Sequence, residues 1–230
     1  MGINLGDVFP NFEAEIFDET AANGLKKIKF HEWIGKDSWS ILFSHPRDFT
    51  PVCTTELGMV SQLVDDFAKM KTKVIALSCD SVEEHKGWSK DVMDYSKQKA
   101  FGFPIISDPK RELAKQLGMI DPDEQTETGM PLTCRAVFII GPDYKLKLSM
   151  LYPATTGRNF DEIKRVVTSL QLTATKKVAT PANWKLGDKC MVIPSLSLDE
   201  AKKLFPKGVE VCQMPSGKGY MRFTPDPSDS

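Results

Sequence analysis

The chain has 230 residues, 41% hydrophobic and 27% charged, proportions that fit a folded water-soluble protein and exclude a disordered or fibrous one. Thirty basic against 31 acidic residues leave a formal net charge of -1, which supplies no field for drawing the chain onto nucleic acid or anionic lipid. No apolar run approaches a membrane span and the start, Met1-Gly2-Ile3-Asn4-Leu5, lacks a basic stretch before an apolar core, so no stable membrane insertion is expected and the cytoplasm is the expected compartment.

Trp39 to Phe43 is a short β-compatible apolar run, and from Leu57 the apolar positions Leu57, Val60, Val64 and Phe67 recur at helical spacing. Val74 to Leu77 reads as a buried strand, and the segment after Ser81, with Val82, Trp88 and Val92 among charges, as a surface helix. Arg111 to Leu117 predicts a short helix closed by Gly118. Ala136 to Ile140 follows as a strand, and Gly141-Pro142-Asp143 turns it into the alternating Leu146, Leu148 and Met150, a hairpin pattern. Asn159 is placed to cap a last helix carrying Phe160, Ile163, Val167 and Leu170.

A βαβ half followed by a ββα half predicts an α/β chain of thioredoxin-like fold, a mixed central sheet flanked by helices. The expected division is a domain over residues 1–172, a polar linker over 173–185 and a small C-terminal extension over 186–230, ending in a frayed Thr224-Pro225-Asp226-Pro227-Ser228.

The cysteines, Cys53, Cys79, Cys134, Cys190 and Cys212, are odd in number and widely spaced, unlike a secreted disulfide framework, so reduced thiols are expected. Only His31, His45 and His85 accompany them, with no Cys-x-x-Cys or His-x-x-x-His pair, so neither a metal site nor a cofactor is expected.

HPRDFTPVCTTE, from His45 to Glu56, joins the first strand to the first long helix and puts Cys53 in that helix's first turn. Unpaired amides and the positive end of the helix dipole favour a thiolate there. Thr50, three residues earlier, brings a hydroxyl able both to accept and to donate a hydrogen bond beside the sulfur. Arg135, opening the Ala136 to Ile140 strand, is the candidate cation for the developing negative charge. Cys79, Cys190 and Cys212 read as core filling. Cys134 should point to the opposite face of its strand from Arg135.

Pro46-x-x-x-Thr50-x-x-Cys53, followed by Thr54-Thr55-Glu56, resembles the active-site motif of peroxiredoxins. The likeness continues through PLTCRAVFIIGPD, LYPATTGRN, LQLTATKKVATPANW and PSGKGYMRFTP, nearly the whole chain, and is similar to the one-cysteine, peroxiredoxin-6 subgroup. It implies that Cys53 is the peroxidatic cysteine of a thiol peroxidase for hydrogen peroxide and organic hydroperoxides, with Thr50, Pro46 and Arg135 completing the site and His45, Glu56 and Arg158 supporting it. Two-cysteine members resolve the oxidised thiol with a Val-Cys-Pro cysteine. Val211-Cys212-Gln213 lacks that proline, so the implied reductant is an external thiol, glutathione, with a glutathione transferase as its carrier. A homodimer is implied as well.

Three other functions are weighed. A thioredoxin-type disulfide oxidoreductase lacks its second sulfur, the string reading Cys53-Thr54-Thr55-Glu56. A phospholipase A2-like hydrolase would use His31, Ser38 and Asp143, but Gly35-Lys36-Asp37-Ser38-Trp39-Ser40 breaks the Gly-x-Ser-x-Gly elbow spacing. A redox-sensing relay or scaffold would use the same Cys53.

Overall fold

The computed structural model describes residues 2–228 and divides into two compact units, one running to Phe160 and the other from Asp161. In chain order the first holds β1 (Glu13–Phe17), β2 (Leu25–Lys29), α1 (Phe30–Ile34), β3 (Trp39–Ser44), α2 (Pro51–Lys69), β4 (Thr72–Ser78) and α3 (Val82–Ser96). It continues with β5 (Ile105–Ser107), α4 (Glu112–Gln116), β6 (Ile120–Gln125), β7 (Pro131–Thr133), β8 (Arg135–Ile140) and β9 (Leu146–Tyr152).

Seven strands form one mixed sheet in the order β2-β1-β5-β4-β3-β8-β9. Its centre, β5-β4-β3, is parallel, as βαβ crossovers require, and β8 adds antiparallel to β3 before turning into β9. The turn at Gly141 to Tyr144 closes with a Tyr144 N–H to Gly141 carbonyl bond, as the Gly-Pro-Asp string anticipates. The thioredoxin-like expectation holds. β1 and β2, whose sequences EAEIF and LKKIK carry too many charges to read as core strands, form the opposite edge.

The sheet's two faces are set by alternation. Leu42, Ile75, Leu77, Ala136, Phe138 and Ile140 meet Phe30 and Ile34 of α1 and Ala114 of α4 in one core. Residues of the other parity, among them Phe43 and Arg135, turn to the opposite side. Phe30 stacks on Phe12 at 4.6 Å, an aromatic pair that adds specificity to the buried area. Ser81 and Glu84 form the capping box that starts α3.

The second unit holds α5 (Phe160–Thr175, its first residue belonging to the first unit), β10 (Val178–Ala179), β11 (Cys190–Val192), α6 (Leu198–Leu204), β12 (Glu210–Val211) and β13 (Arg222–Thr224). Its four-stranded sheet, β10-β11-β13-β12, has a core of Leu172, Val178, Trp184, Cys190, Val192 and Phe205. The segment 173–185 thus contains the end of α5, strand β10 and a fully buried Trp184, and differs from a bare linker because Val178 and Trp184 supply the apolar anchors that its polar string hides. The segment 224–228 is also docked. Thr224 is buried, and Asp226 accepts the Gly187 N–H at 2.7 Å.

Candidate active site

α2 begins at Thr50 in extended conformation, with Pro51 in the first helical position, where a missing N–H costs nothing. Cys53 therefore sits in the first turn, among amides that lack intrahelical acceptors. Its side chain is fully buried on the α2 side of the sheet. The alternation that turns Arg135 to this side brings its Nη1 to 3.3 Å from the Cys53 sulfur, as a donor.

Arg135 is itself held. Its Nε and Nη2 donate to the Ala154 carbonyl at 2.9 and 2.6 Å, and its Nη1 also reaches Glu56 Oε2 at 2.8 Å. Glu56, one turn after Cys53 on α2, accepts three further donations from Arg158, through its backbone N, Nε and Nη2 at 2.7, 2.9 and 2.6 Å. Burial alone would raise the Glu56 pKa. The hydrogen bonds and charge of Arg158, with the charge of Arg135, outweigh it and leave the carboxyl below its ordinary value. Arg158 also donates to the Ala136 carbonyl and lies over the Phe43 ring at 5.2 Å. Two guanidinium groups thus share one buried carboxylate, a net positive cluster against a sulfur that can ionise.

Thr50 is placed by the motif but oriented differently from the expected two-way role. Its hydroxyl donates to the Arg47 carbonyl at 2.8 Å, leaving only lone pairs for an incoming peroxide O–H. Pro46 is buried, and its ring stiffens the loop. His45 is also buried, but its Nε2 faces Asp48 Oδ1 at 2.7 Å and its carbonyl takes the Thr133 hydroxyl.

Asp48 and His85 are residues that sequence reading did not single out. Asp48 Oδ2 faces His85 Nδ1 at 2.6 Å, and its backbone N–H donates to Asp80 Oδ2 at 3.0 Å. Ligand atoms of His45, Asp48 and Asp80 lie within 4.8 Å of one another, the closest approach to a metal-ligand set among the described residues. Their short mutual hydrogen bonds and the donation of Ser78 Oγ to Asp80 give these atoms protein partners.

His31 and Asp143 of the hydrolase set are engaged with other partners. His31 Nε2 engages the Phe9 carbonyl at 2.6 Å and its ring stacks on Tyr144 at 4.3 Å. Asp143 is taken by Lys147 at 2.6 Å, and Ser38 precedes β3, a loop-to-strand entry in place of the strand-to-helix elbow a serine nucleophile needs. Among the described residues no hydrogen bond joins the three.

The comparisons agree with this geometry. Residues 5–149 match the AhpC/TSA family, and residues 169–208 match the C-terminal domain of 1-Cys peroxiredoxin. The chain belongs to the AhpC/TSA family, in its peroxiredoxin-6 subfamily. The chicken (Gallus gallus) peroxiredoxin-6 is 62% identical over 229 residues, covering 98% of this chain and 99% of the relative, and the human (Homo sapiens) protein is 60% identical over the same length and shares. Among solved structures, a cysteine-to-serine mutant of peroxiredoxin 6 from Arenicola marina superposes with a TM-score of 0.93 at 65% identity, covering 99% of this chain and 100% of that one. A yeast mitochondrial 1-Cys peroxiredoxin gives 0.84 at 40% identity, covering 97% and 99%. This peroxiredoxin is a thiol peroxidase.

The other thiols of the peroxiredoxin stand apart from the cluster. Cys134 lies in the core on the far face from Arg135, as strand alternation predicts, and burial raises its pKa. Burial pushes Cys79 up to about 12 and Cys190 up to about 11. Cys212, half-buried, follows Val211 of β12 in the second unit. Among the described residues no helix is long and apolar enough to cross a membrane.

Proposed function

We propose that Cys53 is the peroxidatic thiol, Arg135 and Thr50 its catalytic partners, and Glu56 and Arg158 the pair that holds Arg135 in place. The observation carrying this reading is the single Arg135 nitrogen shared between the Cys53 sulfur at 3.3 Å and Glu56 at 2.8 Å. A thiolate stabilised there attacks one oxygen of a hydroperoxide. The S–O bond forms as the O–O bond breaks, and the leaving oxygen takes the electron pair and a proton to depart as water or alcohol. Arg135 lies where it can meet the charge on the reacting oxygens, and Thr50 accepts from the peroxide O–H to fix its approach.

The product is a sulfenic acid, the reversible first step of cysteine oxidation. An external thiol, glutathione, attacks its sulfur, releases water and leaves a mixed disulfide that a second thiol reduces. Two facts support an outside reductant: Cys212 lacks the proline of a resolving motif, and the similar yeast structure concerns thiol resolution through glutathione and thioredoxin systems. A glutathione transferase as carrier, lipid hydroperoxides among the substrates, a homodimer and a cytoplasmic location belong to the same reading.

Stopped-flow mixing of reduced protein with hydrogen peroxide, followed by Trp fluorescence, tests it. Trp88 is a built-in reporter, because its Nε1 donates to Thr54 Oγ1, the residue after Cys53. A rapid stoichiometric change that Cys53→Ser abolishes is the expected result. Oxidation that persists in the variant would overturn the assignment.

A further inference from the structure

Asp48 is a carboxylate with 1% side-chain exposure lying between two histidines that are fully buried. Ionised, it only accepts, so each ring nitrogen facing it is the one bearing hydrogen. His45 is therefore protonated at Nε2, 2.7 Å from Oδ1, and His85 at Nδ1, 2.6 Å from Oδ2. The remaining nitrogens, His45 Nδ1 and His85 Nε2, are buried and have no hydrogen-bond partner among the described residues. A hydrogen moved to either would be stranded, so the opposite tautomers are fixed by Asp48 alone.

The same residue sits at the strained point of the catalytic loop. Phe49 has φ of 55° and is 57% exposed, a left-handed conformation that an aromatic residue adopts only at a cost in backbone strain. Thr50 holds the turn on one side through the Arg47 carbonyl. Asp48 holds it on the other, through Asp80 and through its two histidines. Both arms reach α3: His85 lies on it, and the His45 ring packs 5.1 Å from Trp88 of the same helix, whose Nε1 donates to Thr54 in the Cys53 turn.

We propose that Asp48 is a positioning residue of the peroxidase site, its carboxylate locking His45 and His85 as opposite tautomers so that the strained turn at Phe49 presents Thr50 and Cys53 to Arg135. The proposal rests on Cys53 being the peroxide-reactive thiol. It adds that the reactive geometry depends on the charge of Asp48, which reaches the Cys53 turn through His45, Trp88 and Thr54. Asp48→Asn keeps the shape but replaces one acceptor by a donor, so one histidine must take the other tautomer and leave its hydrogen unpaired. A misplaced turn of this kind costs on the order of tenfold to a hundredfold in rate.

Nitrogen-15 NMR of the imidazoles in the reduced wild-type protein should show His45 with hydrogen on Nε2 and His85 with hydrogen on Nδ1, and Asp48→Asn should reverse one of them. In stopped flow, Asp48→Asn and His85→Leu should lose about tenfold or more in the second-order rate with hydrogen peroxide. His85→Asn, whose amide nitrogen stands near the Nδ1 position, should recover a large part of what His85→Leu loses. The opposite tautomer at either ring in wild type overturns the proposal, even if Asp48→Asn fails to fold. So does an Asp48→Asn rate within twofold of wild type, or no difference between the two His85 variants. Failure of the underlying assignment shows separately, as oxidation persisting in Cys53→Ser.

Discussion

Arg135 Nη1 donates to the Cys53 sulfur from 3.3 Å, and both groups are almost wholly removed from solvent. Water screens little of this interaction, so the guanidinium acts on charge at the reacting atoms more strongly than a surface cation would. The two residues are 82 positions apart in sequence. Their meeting depends on β8 lying next to β3, with Arg135 at the parity that faces α2.

Arg135→Gln should therefore lower the peroxide rate about 100-fold, the usual size of losing one donor to developing charge. Arg135→Lys should fall between, because an ammonium restores charge but cannot hold Ala154 and reach sulfur in one plane. Alkylation rate against pH reads the thiolate fraction separately from the peroxide reaction. If both variants alkylate like wild type while peroxide reduction collapses, Arg135 acts on the peroxide oxygens and not on the thiolate population.

Glu56→Gln should destabilise the fold by about 3–5 kcal/mol, the range for breaking a buried ion pair while its partners stay buried. Glu56, Arg135 and Arg158 have side-chain exposures of 3%, 3% and 1%. A neutral amide leaves two guanidinium groups without their counter-charge. Urea unfolding measures the loss, and a change below about 1 kcal/mol would mean that water or movement of the guanidinium groups compensates it.

Much of this site could be read in advance because the motif is local. Pro46, Thr50 and Cys53 fall within eight consecutive positions, and helix start and strand end follow from the same string. Arg158 is legible only through resemblance, since nothing in TTGRN by itself aims a guanidinium at a particular carboxylate, whereas Arg135 stands out as the cation that opens the Ala136 to Ile140 strand. Asp48 lay in plain view inside the motif, yet its partner His85 is 37 positions away on a helix whose charges read as a solvated face. The direction of the Thr50 hydrogen was invisible for a different reason: a hydroxyl rotates, and only the Arg47 carbonyl decides where it points. β1 and β2 escaped because strand pairing, rather than local hydrophobicity, makes those residues structural, and Trp184 because a lone apolar anchor is hidden in a polar string.

Acid should weaken the fold through Asp48 and Glu56. Burial would raise Asp48, but donations from His45 and His85 outweigh it and hold its pKa at about 2, against an ordinary 3.8. Glu56 is likewise below its ordinary 4.5. Both folded values are depressed, so their contribution is present above the ordinary values and is lost as pH falls through the folded ones. For Asp48 the gap from 3.8 to about 2 corresponds to about 2 kcal/mol. Asp80, raised by burial and then by the charge of Asp48, works in the opposite sense. Unfolding free energies of wild type and Asp48→Asn should therefore converge between about pH 4 and pH 2. Curves that stay parallel through that window would remove Asp48 from the linkage.

The five cysteines should separate by burial and charge. At neutral pH a thiol with a pKa of about 12, like Cys79, is ionised to roughly one part in 10⁵, and Cys190 at about 11 is little better. Cys134 is shifted the same way by burial, and all three are covered. Cys212 is half-buried, so an alkylating reagent has access to it. Brief treatment with iodoacetamide under native conditions should label Cys212 and spare Cys79, Cys134 and Cys190, which need denaturant. One equivalent of hydrogen peroxide in the presence of dimedone should instead mark Cys53, because Arg135 donates to its sulfur from 3.3 Å. Peptide mass spectrometry reads both patterns. Dimedone found mainly on Cys212 would make exposure, and not the Arg135 contact, the determinant of oxidation in this chain.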